Sequence, residues 1–264
     1  MKKAARGVDD ALDALRGKVA IVTGGSRGMG RHFVDALIGN GMRVAVLARA
    51  SDELVAVAAG REHAVLPIAC DVGVPEQVEA GVQQAVARFG RLDVLVNNAA
   101  VFAPFLIERA SDAEVERHVR ANLLGPIWCI RAAIPHLRAT RGQIVSITSE
   151  SVRMPFPYLT VYAATKAALE TLSQGLREEL REEGIRVLVL RSGSVAGGSG
   201  ARDWDPDVAG DFFRKITRTG HAAFAGAAVA PETMARTLVA MLALPGDVSL
   251  DLVEARAALP LTAG

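Results

Sequence analysis

Tyr162-Ala163-Ala164-Thr165-Lys166 is the stretch of this sequence best suited to moving a proton. On a helix, residues four apart project from the same face. A lysine ammonium beside a tyrosine hydroxyl favours the phenolate, so the pair is expected to lower the tyrosine pKa toward the range of a general acid/base. Such a pair also arises by chance on many helices and needs partners before it carries a function.

A second feature with chemistry is Thr23-Gly24-Gly25-Ser26-Arg27-Gly28-Met29-Gly30. It follows the β-branched run Val19-Ala20-Ile21-Val22 and opens a helical pattern reaching about Asn40. Glycines let a backbone turn tightly and approach a pyrophosphate, which the positive end of the following helix stabilises. The strand-before, helix-after context separates this loop from an ordinary glycine-rich turn. Its spacing is TGxxxGxG rather than GxGxxG. A carboxylate ending the second strand would accept from a free ribose 2′-hydroxyl and repel a 2′-phosphate. That position is occupied by Ala48, with Arg49 after it, and Arg27 lies inside the glycine loop. Two guanidiniums without a carboxylate favour NADP(H) over NAD(H). Asp52 and Glu53 are expected to begin the next helix.

The elements that must hold these residues are short apolar runs alternating with longer amphipathic stretches. Strands are expected at 19–22, 43–48, 64–69, 92–96, 143–148 and 185–190, with a final one at 249–253. Helical patterns cover about 75–89, 111–138 and 162–183. Continuously apolar strands are those of a parallel sheet covered on both faces. The alternation implies an α/β, three-layer Rossmann fold: a doubly wound parallel sheet of about seven strands with right-handed crossovers. Ligands in such sheets bind beyond the carboxyl ends of the strands, where every motif above falls.

Residues 17–264 are expected to form one catalytic domain behind a polar extension, 1–16, whose main apolar points are Leu12 and Leu15. The chain carries 30 Lys plus Arg against 29 Asp plus Glu, a net charge of +1, which argues against a nucleic-acid footprint. Half the residues are apolar, yet no stretch has the length of a membrane span and no secretory signal is evident. Cytoplasm is the expected compartment. Cys70 and Cys129 sit in apolar runs and are expected to be buried free thiols. Neither they nor the five histidines have metal-ligand spacing, so no metal is expected.

Spacing and order together make the chain resemble the short-chain dehydrogenase/reductase family, single-domain type, from about Lys18 to near residue 255. The resemblance implies further roles. Ser149, thirteen residues before Tyr162, takes the catalytic serine position and would hydrogen-bond the substrate oxygen; Ser146 and Ser151 do not satisfy that spacing. Asn122 takes a fourth catalytic position, holding a water in a proton relay. Asp71-Val72 matches an adenine-contacting pair, and Asn97-Asn98-Ala99-Ala100 an NNAG segment lining the cofactor site, with alanine for glycine. Gly24, Ser26, Arg27, Gly28, Met29, Gly30, Arg49, Asp71, Val72, Asn98, Ala99, Tyr162, Lys166 and Val195 thus form the expected cofactor set. Ser149 and Tyr162 would meet the substrate. After the sixth strand the family's Pro-Gly is replaced by Ser192-Gly193, and Gly197 stands near its threonine position, which makes this loop more pliable.

The resemblance implies that residues 197–225, glycine-rich with Trp204, Phe212, Phe213 and Phe224, form a lid over the substrate; the alternative is a surface helix packing its aromatics. Other pocket candidates are Phe102-Ala103-Pro104-Phe105, Val152, Met154, Phe156 and Tyr158, while Arg153 would meet either an acidic substrate group or solvent. Together these features imply NADP(H)-dependent interconversion of a ketone or aldehyde and an alcohol, and the family resemblance implies a homodimer or homotetramer. The competing readings are a non-catalytic dinucleotide-binding regulator and a reductase of 3-oxoacyl groups on an acidic carrier protein. The second is disfavoured because residues 177–183, at the end of the Tyr-Lys helix, are acidic. An epimerase or dehydratase of the longer relatives would need a larger C-terminal domain.

Overall fold

The computed structural model of the chain describes residues 12–197 and 204–258. Seven strands run parallel: β1 (Val19–Thr23), β2 (Arg43–Ala48), β3 (Val65–Ala69), β4 (Val94–Asn97), β5 (Gln143–Ser149), β6 (Arg186–Ser192) and β7 (Leu252–Ala255). Their spatial order is β3-β2-β1-β4-β5-β6-β7. The order reverses between β1 and β4, and at such a switch point the two connections leave in opposite directions and open a crevice.

One face of the sheet is covered by α1 (Gly28–Gly39) and by a helix near the C-terminus, Pro231–Ala243, around a core that includes Phe33, Leu37, Met42 and Leu238. The other face carries α3 (Pro75–Phe89) and α5 (Gly125–Thr140), together with α6 (Thr160–Leu180), over Ile21, Leu47, Leu95 and Ile144. β1 is buried at all five positions, as its unbroken apolar run requires. Leu15 is wholly buried and Leu12 packs against the same core, so the packed part of the chain begins before residue 17. Residues 1–11 of the expected extension lie outside the described residues.

Two elements differ from the expected pattern. The helical stretch 111–138 is not uniform: α4 (Asp112–Val119) passes through a π turn, Arg120–Leu124, into α5. Pro126 has no N–H to give the Asn122 carbonyl, its partner four residues back in an α-helix, and a π turn accommodates that loss. The final strand starts three residues later than expected because β7 is placed by its pairing to β6, with Val189 opposite Leu252. As expected, Asp52 and Glu53 open a short helix, α2 (Asp52–Ala56), capped by Ser51, whose hydroxyl accepts from the Leu54 N–H at 3.2 Å.

A third, smaller cluster lies above the carboxyl ends of the strands. It joins Phe156 and Leu159 to Phe212 and Ile216 of α7 (Pro206–Arg218), with α8 (His221–Ala225) behind. These helices occupy the expected lid; its residues 198–203 lie outside the described residues. No described helix is long and apolar enough to cross a membrane.

Candidate active site

The glycine loop is fixed from below by backbone-level bonds. Thr23 ends β1, and its hydroxyl accepts from the N–H groups of Asn98 and Ala99, both at 3.0 Å. The Asn98 amide returns a bond to the Thr23 carbonyl at 2.9 Å. Gly24 sits at φ +65°, and a Cβ there would lie 2.8 Å from the Ala99 Cα. A Cβ on Gly30 would strike the Gly24 carbonyl oxygen. Only glycine allows the loop to lie this close to the end of β4. The N-terminus of α1 therefore opens directly into the crevice at the switch point, where unsatisfied N–H groups favour an anion.

On the other side of the crevice, α6 presents Tyr162 and Lys166 beside the end of β5. A turn at Tyr158, held in the left-handed region at φ +67°, aims the start of this helix. The Tyr158 carbonyl accepts from Phe105 N–H at 2.9 Å, which ties that turn to the loop after β4. The Lys166 ammonium donates to the Ile147 carbonyl at 2.8 Å and lies 5.8 Å from the Tyr162 ring centre. Burial alone lowers its pKa to about 8. Burial pushes the Tyr162 hydroxyl up to about 12, and the hydrogen bond with Ser149 offsets this only in part. This departs from the expectation that Lys166 depresses the tyrosine. The ammonium points at the strand carbonyl and is itself desolvated, so it does not outweigh the burial of its neighbour. At neutral pH both groups therefore hold their protons, Tyr162 as the neutral phenol and Lys166 mostly as the ammonium.

A cleft of about 1200 Å³ runs between these two sides. Of the expected cofactor set, it is lined by Gly24, Ser26, Arg27, Met29, Gly30, Arg49, Asp71, Val72, Asn98, Ala99, Tyr162, Lys166 and Val195, and Ser149 lines it as well. Gly28 and Asn122 are the two expected site residues that do not line it. Gly28, at φ +54°, shapes the loop from behind.

Asn122 is fully buried, and its amide is committed elsewhere. It accepts from Val101 N–H at 2.7 Å, donates to the Val101 carbonyl at 2.9 Å and reaches the Thr165 hydroxyl at 3.2 Å. Thr165 in turn donates to the Tyr162 carbonyl at 2.7 Å. The Asn122 side chain is thus a clamp between the loop after β4 and the Tyr-Lys helix. The spacing that identified Asn122 carried no information about where its amide would point.

Of the expected pocket residues, Phe102, Phe156, Trp204, Phe212 and Phe213 line the cleft, whereas Phe105, Val152, Met154 and Tyr158 do not. Phe102 meets Tyr162 edge-on at 4.9 Å and Trp204 at 5.1 Å, and the Trp204 indole N–H donates to the Phe102 carbonyl at 2.8 Å. Trp204 meets Phe212 of α7 at 5.4 Å, so an aromatic chain links α7 to Tyr162. Arg153 meets Glu254 at 3.1 Å rather than the cleft.

Several residues at the site had no motif to announce them. Glu150, directly after Ser149, lines the cleft, and Arg117 and Arg120 line it near Asp71. Glu53 lines the same cleft as Arg27 and Arg49. A cluster of charges stands behind β5 and β6: Arg191 bonds Glu170 at 2.5 Å and Glu254 at 3.0 Å. Thr148 donates to Glu170 at 2.7 Å. Only the carboxylate directly following a candidate catalytic serine could have drawn notice in the sequence. Both cysteines are buried free thiols, and among the described residues no group of three or more His, Cys, Asp or Glu could hold a metal ion.

Residues 18–206 match the model of the short chain dehydrogenase family, and the chain belongs to that family. An 11-beta-hydroxysteroid dehydrogenase-like protein, 4A, of Arabidopsis thaliana is 34% identical over 192 residues, which are 71% of this chain and 64% of that protein. The chain therefore matches just under two thirds of the length of that plant relative. Among solved structures, a short-chain dehydrogenase from Streptomyces avermitilis superposes with a TM-score of 0.78 at 29% identity, covering 90% of this chain and 87% of that one. An alcohol dehydrogenase of Thermococcus sibiricus, complexed with 5-hydroxy-NADP, gives 0.76 at 28% identity, covering 91% and 97%.

Proposed function

We propose that this chain is an NADP(H)-dependent oxidoreductase that interconverts a ketone or aldehyde and an alcohol on a mostly apolar small molecule. The observation that carries this reading is the convergence of Ser149, Tyr162 and Lys166 on one cleft with the glycine loop. The cradle formed by Gly24 and Gly30 at the start of α1 suits a pyrophosphate, which a side chain at either position would exclude.

A nicotinamide cofactor bound there would supply or accept the hydride. The chain's own groups handle the oxygen and its proton. In reduction, Tyr162 donates its phenolic proton to the carbonyl oxygen as charge develops on it, and its high pKa keeps that proton available at neutral pH. Ser149 donates a hydrogen bond to the same oxygen, stabilising it most when it is most negative. Lys166, buried and with a lowered pKa, would hold the ribose hydroxyls and limit the charge on the tyrosinate left behind. Asn122 acts as a positioning residue through Val101 and Thr165. Phe102, Phe156, Trp204 and Phe212 give the substrate an apolar, aromatic enclosure.

Arg27 and Arg49 support the choice of NADP(H). Glu53 in the same cleft favours a second reading, in which a free 2′-hydroxyl is accepted and NAD(H) is used. Titration with NADPH and with NADH, followed by a carbonyl panel with the tighter cofactor, separates the two. At least tenfold tighter NADPH binding (about 1.4 kcal/mol) is expected, and tighter NADH binding would reverse the assignment. A protein that binds the cofactor but turns over no carbonyl would be a dinucleotide-binding regulator instead.

A further inference from the structure

Arg256 follows the end of β7, well outside the matched family segment, yet three parts of the active site meet on its guanidinium. Its Nε lies 3.2 Å from Oε2 of Glu150, the residue directly after Ser149. Its Nη2 donates to the Phe224 carbonyl in α8, and its Cζ lies over the Phe224 ring, 4.1 Å from the centre. Its Nη1 is 3.8 Å from Glu254, which Arg191 and Arg153 also contact. Glu150 is 4% exposed. A carboxylate so buried is costly without a cation, and an arginine can face a carboxylate, a carbonyl and an aromatic ring at once.

We infer that Arg256 is a positioning residue that clips the lid helix α8 to the strand end carrying Ser149, with Glu150 as the other jaw. The inference rests on the oxidoreductase reading above for its catalytic consequence, but not for its structural one. With the clip closed, α8 is held against the end of β5 and the aromatic roof over Tyr162 keeps its height. With the clip broken, α8 keeps the contacts of His221 with Pro155 and Phe156 but loses its tie to the end of β5, and Glu150 is left buried beside Tyr162 without its cation.

The charged and titratable groups facing Glu150 are Arg256 and Glu254 from the β7 side and Tyr162 from α6. The Ser194 backbone also works to lower its pKa. Burial raises the Glu150 carboxyl to about 7, with Arg256 opposing that rise. Its negative charge in turn raises the Tyr162 pKa.

The test compares Arg256→Ala, Arg256→Lys and Glu150→Gln in the full chain, by amide hydrogen exchange over residues 221–225 and by the pH dependence of kcat and KM with NADPH and a carbonyl. Arg256→Ala is expected to speed exchange in α8 about tenfold or more while the central strands stay protected. It should also raise KM more than it lowers kcat. Arg256→Lys, which keeps the charge but not the fork, should fall between Ala and wild type. Glu150→Gln weakens the jaw on the strand side but keeps the contacts of Arg256 with Phe224, so exchange in α8 should rise, by less than in Arg256→Ala, while the alkaline limb of kcat moves to lower pH. Wild-type exchange in α8 of Arg256→Ala overturns the clip, whatever the enzyme does. If the wild type turns over no carbonyl but the exchange pattern appears, the oxidoreductase reading fails and the clip stands.

Discussion

The two sides of the cleft are built by different means. The glycine-loop side is held by backbone geometry and short polar bonds: Thr23 to Asn98 and Ala99, and Gly24 against the end of β4. The Tyr-Lys side is held by desolvated charges, with Lys166 on a strand carbonyl, Glu170 on Arg191 and Glu150 on Arg256. The first arrangement is rigid and indifferent to pH. The second places groups with displaced pKa values where a proton has to move, at a cost in stability. A cofactor needs a fixed cradle, whereas acid/base chemistry needs tunable charge, and the fold brings the two together across its switch point.

The largest effect on this comparison is expected from Lys166→Met. Turnover should fall about 10²–10⁴-fold, the range for a lost acid/base element. The folded protein should nevertheless become more stable at pH 7. The Lys166 pKa falls from 10.5 to about 8 on folding, so the folded state gives up a proton that the unfolded chain keeps. Its penalty is full below about pH 8 and is relieved as pH rises toward 10.5. Melting temperatures of wild type and Lys166→Met should therefore differ most below pH 8 and converge above it; a variant that melts lower than wild type at pH 7 would remove the claim of desolvation cost.

Ser149→Ala comes next, with kcat lower by about 10²–10³ and KM little changed, as for a lost oxyanion donor. Equal losses in kcat and in substrate affinity would make Ser149 a binding residue. On the rigid side, Gly24→Ala forces a side chain onto positive φ and against Ala99. It should cost about 1–3 kcal/mol of stability and weaken NADPH binding, without the pH signature of Lys166→Met. A thermal melt and a fluorescence titration check both. Arg49→Ala should have the smallest effect, weakening NADPH binding about tenfold, the worth of one charge-assisted contact, and leaving NADH unchanged. An equal loss for both cofactors would place Arg49 away from the 2′-phosphate.

Legibility in the sequence followed the same divide. The sheet, its order of elements and the glycine loop were readable because each rests on local pattern: an apolar run, a glycine at a forced φ, a helix opening directly after a strand. Tyr162 and Lys166 were readable because one helical turn joins them. Asn122 was readable as a position but not as a geometry, since its amide is fixed by Val101 and Thr165 from distant segments. The direction of the Tyr162 shift was misjudged from spacing, because burial depends on Phe102 and on Trp204 packed against it. Arg256 could not be foreseen at all, lying more than a hundred residues from Glu150 along the chain. Leu15 was recognised as apolar within a polar extension, but only the packed core revealed it as part of the fold.

The claim that Tyr162 delivers the proton is tested most directly by NADPH oxidation with a reducible carbonyl, comparing wild type and Tyr162→Phe at pH 7 alongside their NADPH dissociation constants. The account predicts that the variant loses turnover by about 10²–10⁴-fold and binds NADPH within about twofold of wild type. Wild-type turnover in Tyr162→Phe would contradict it.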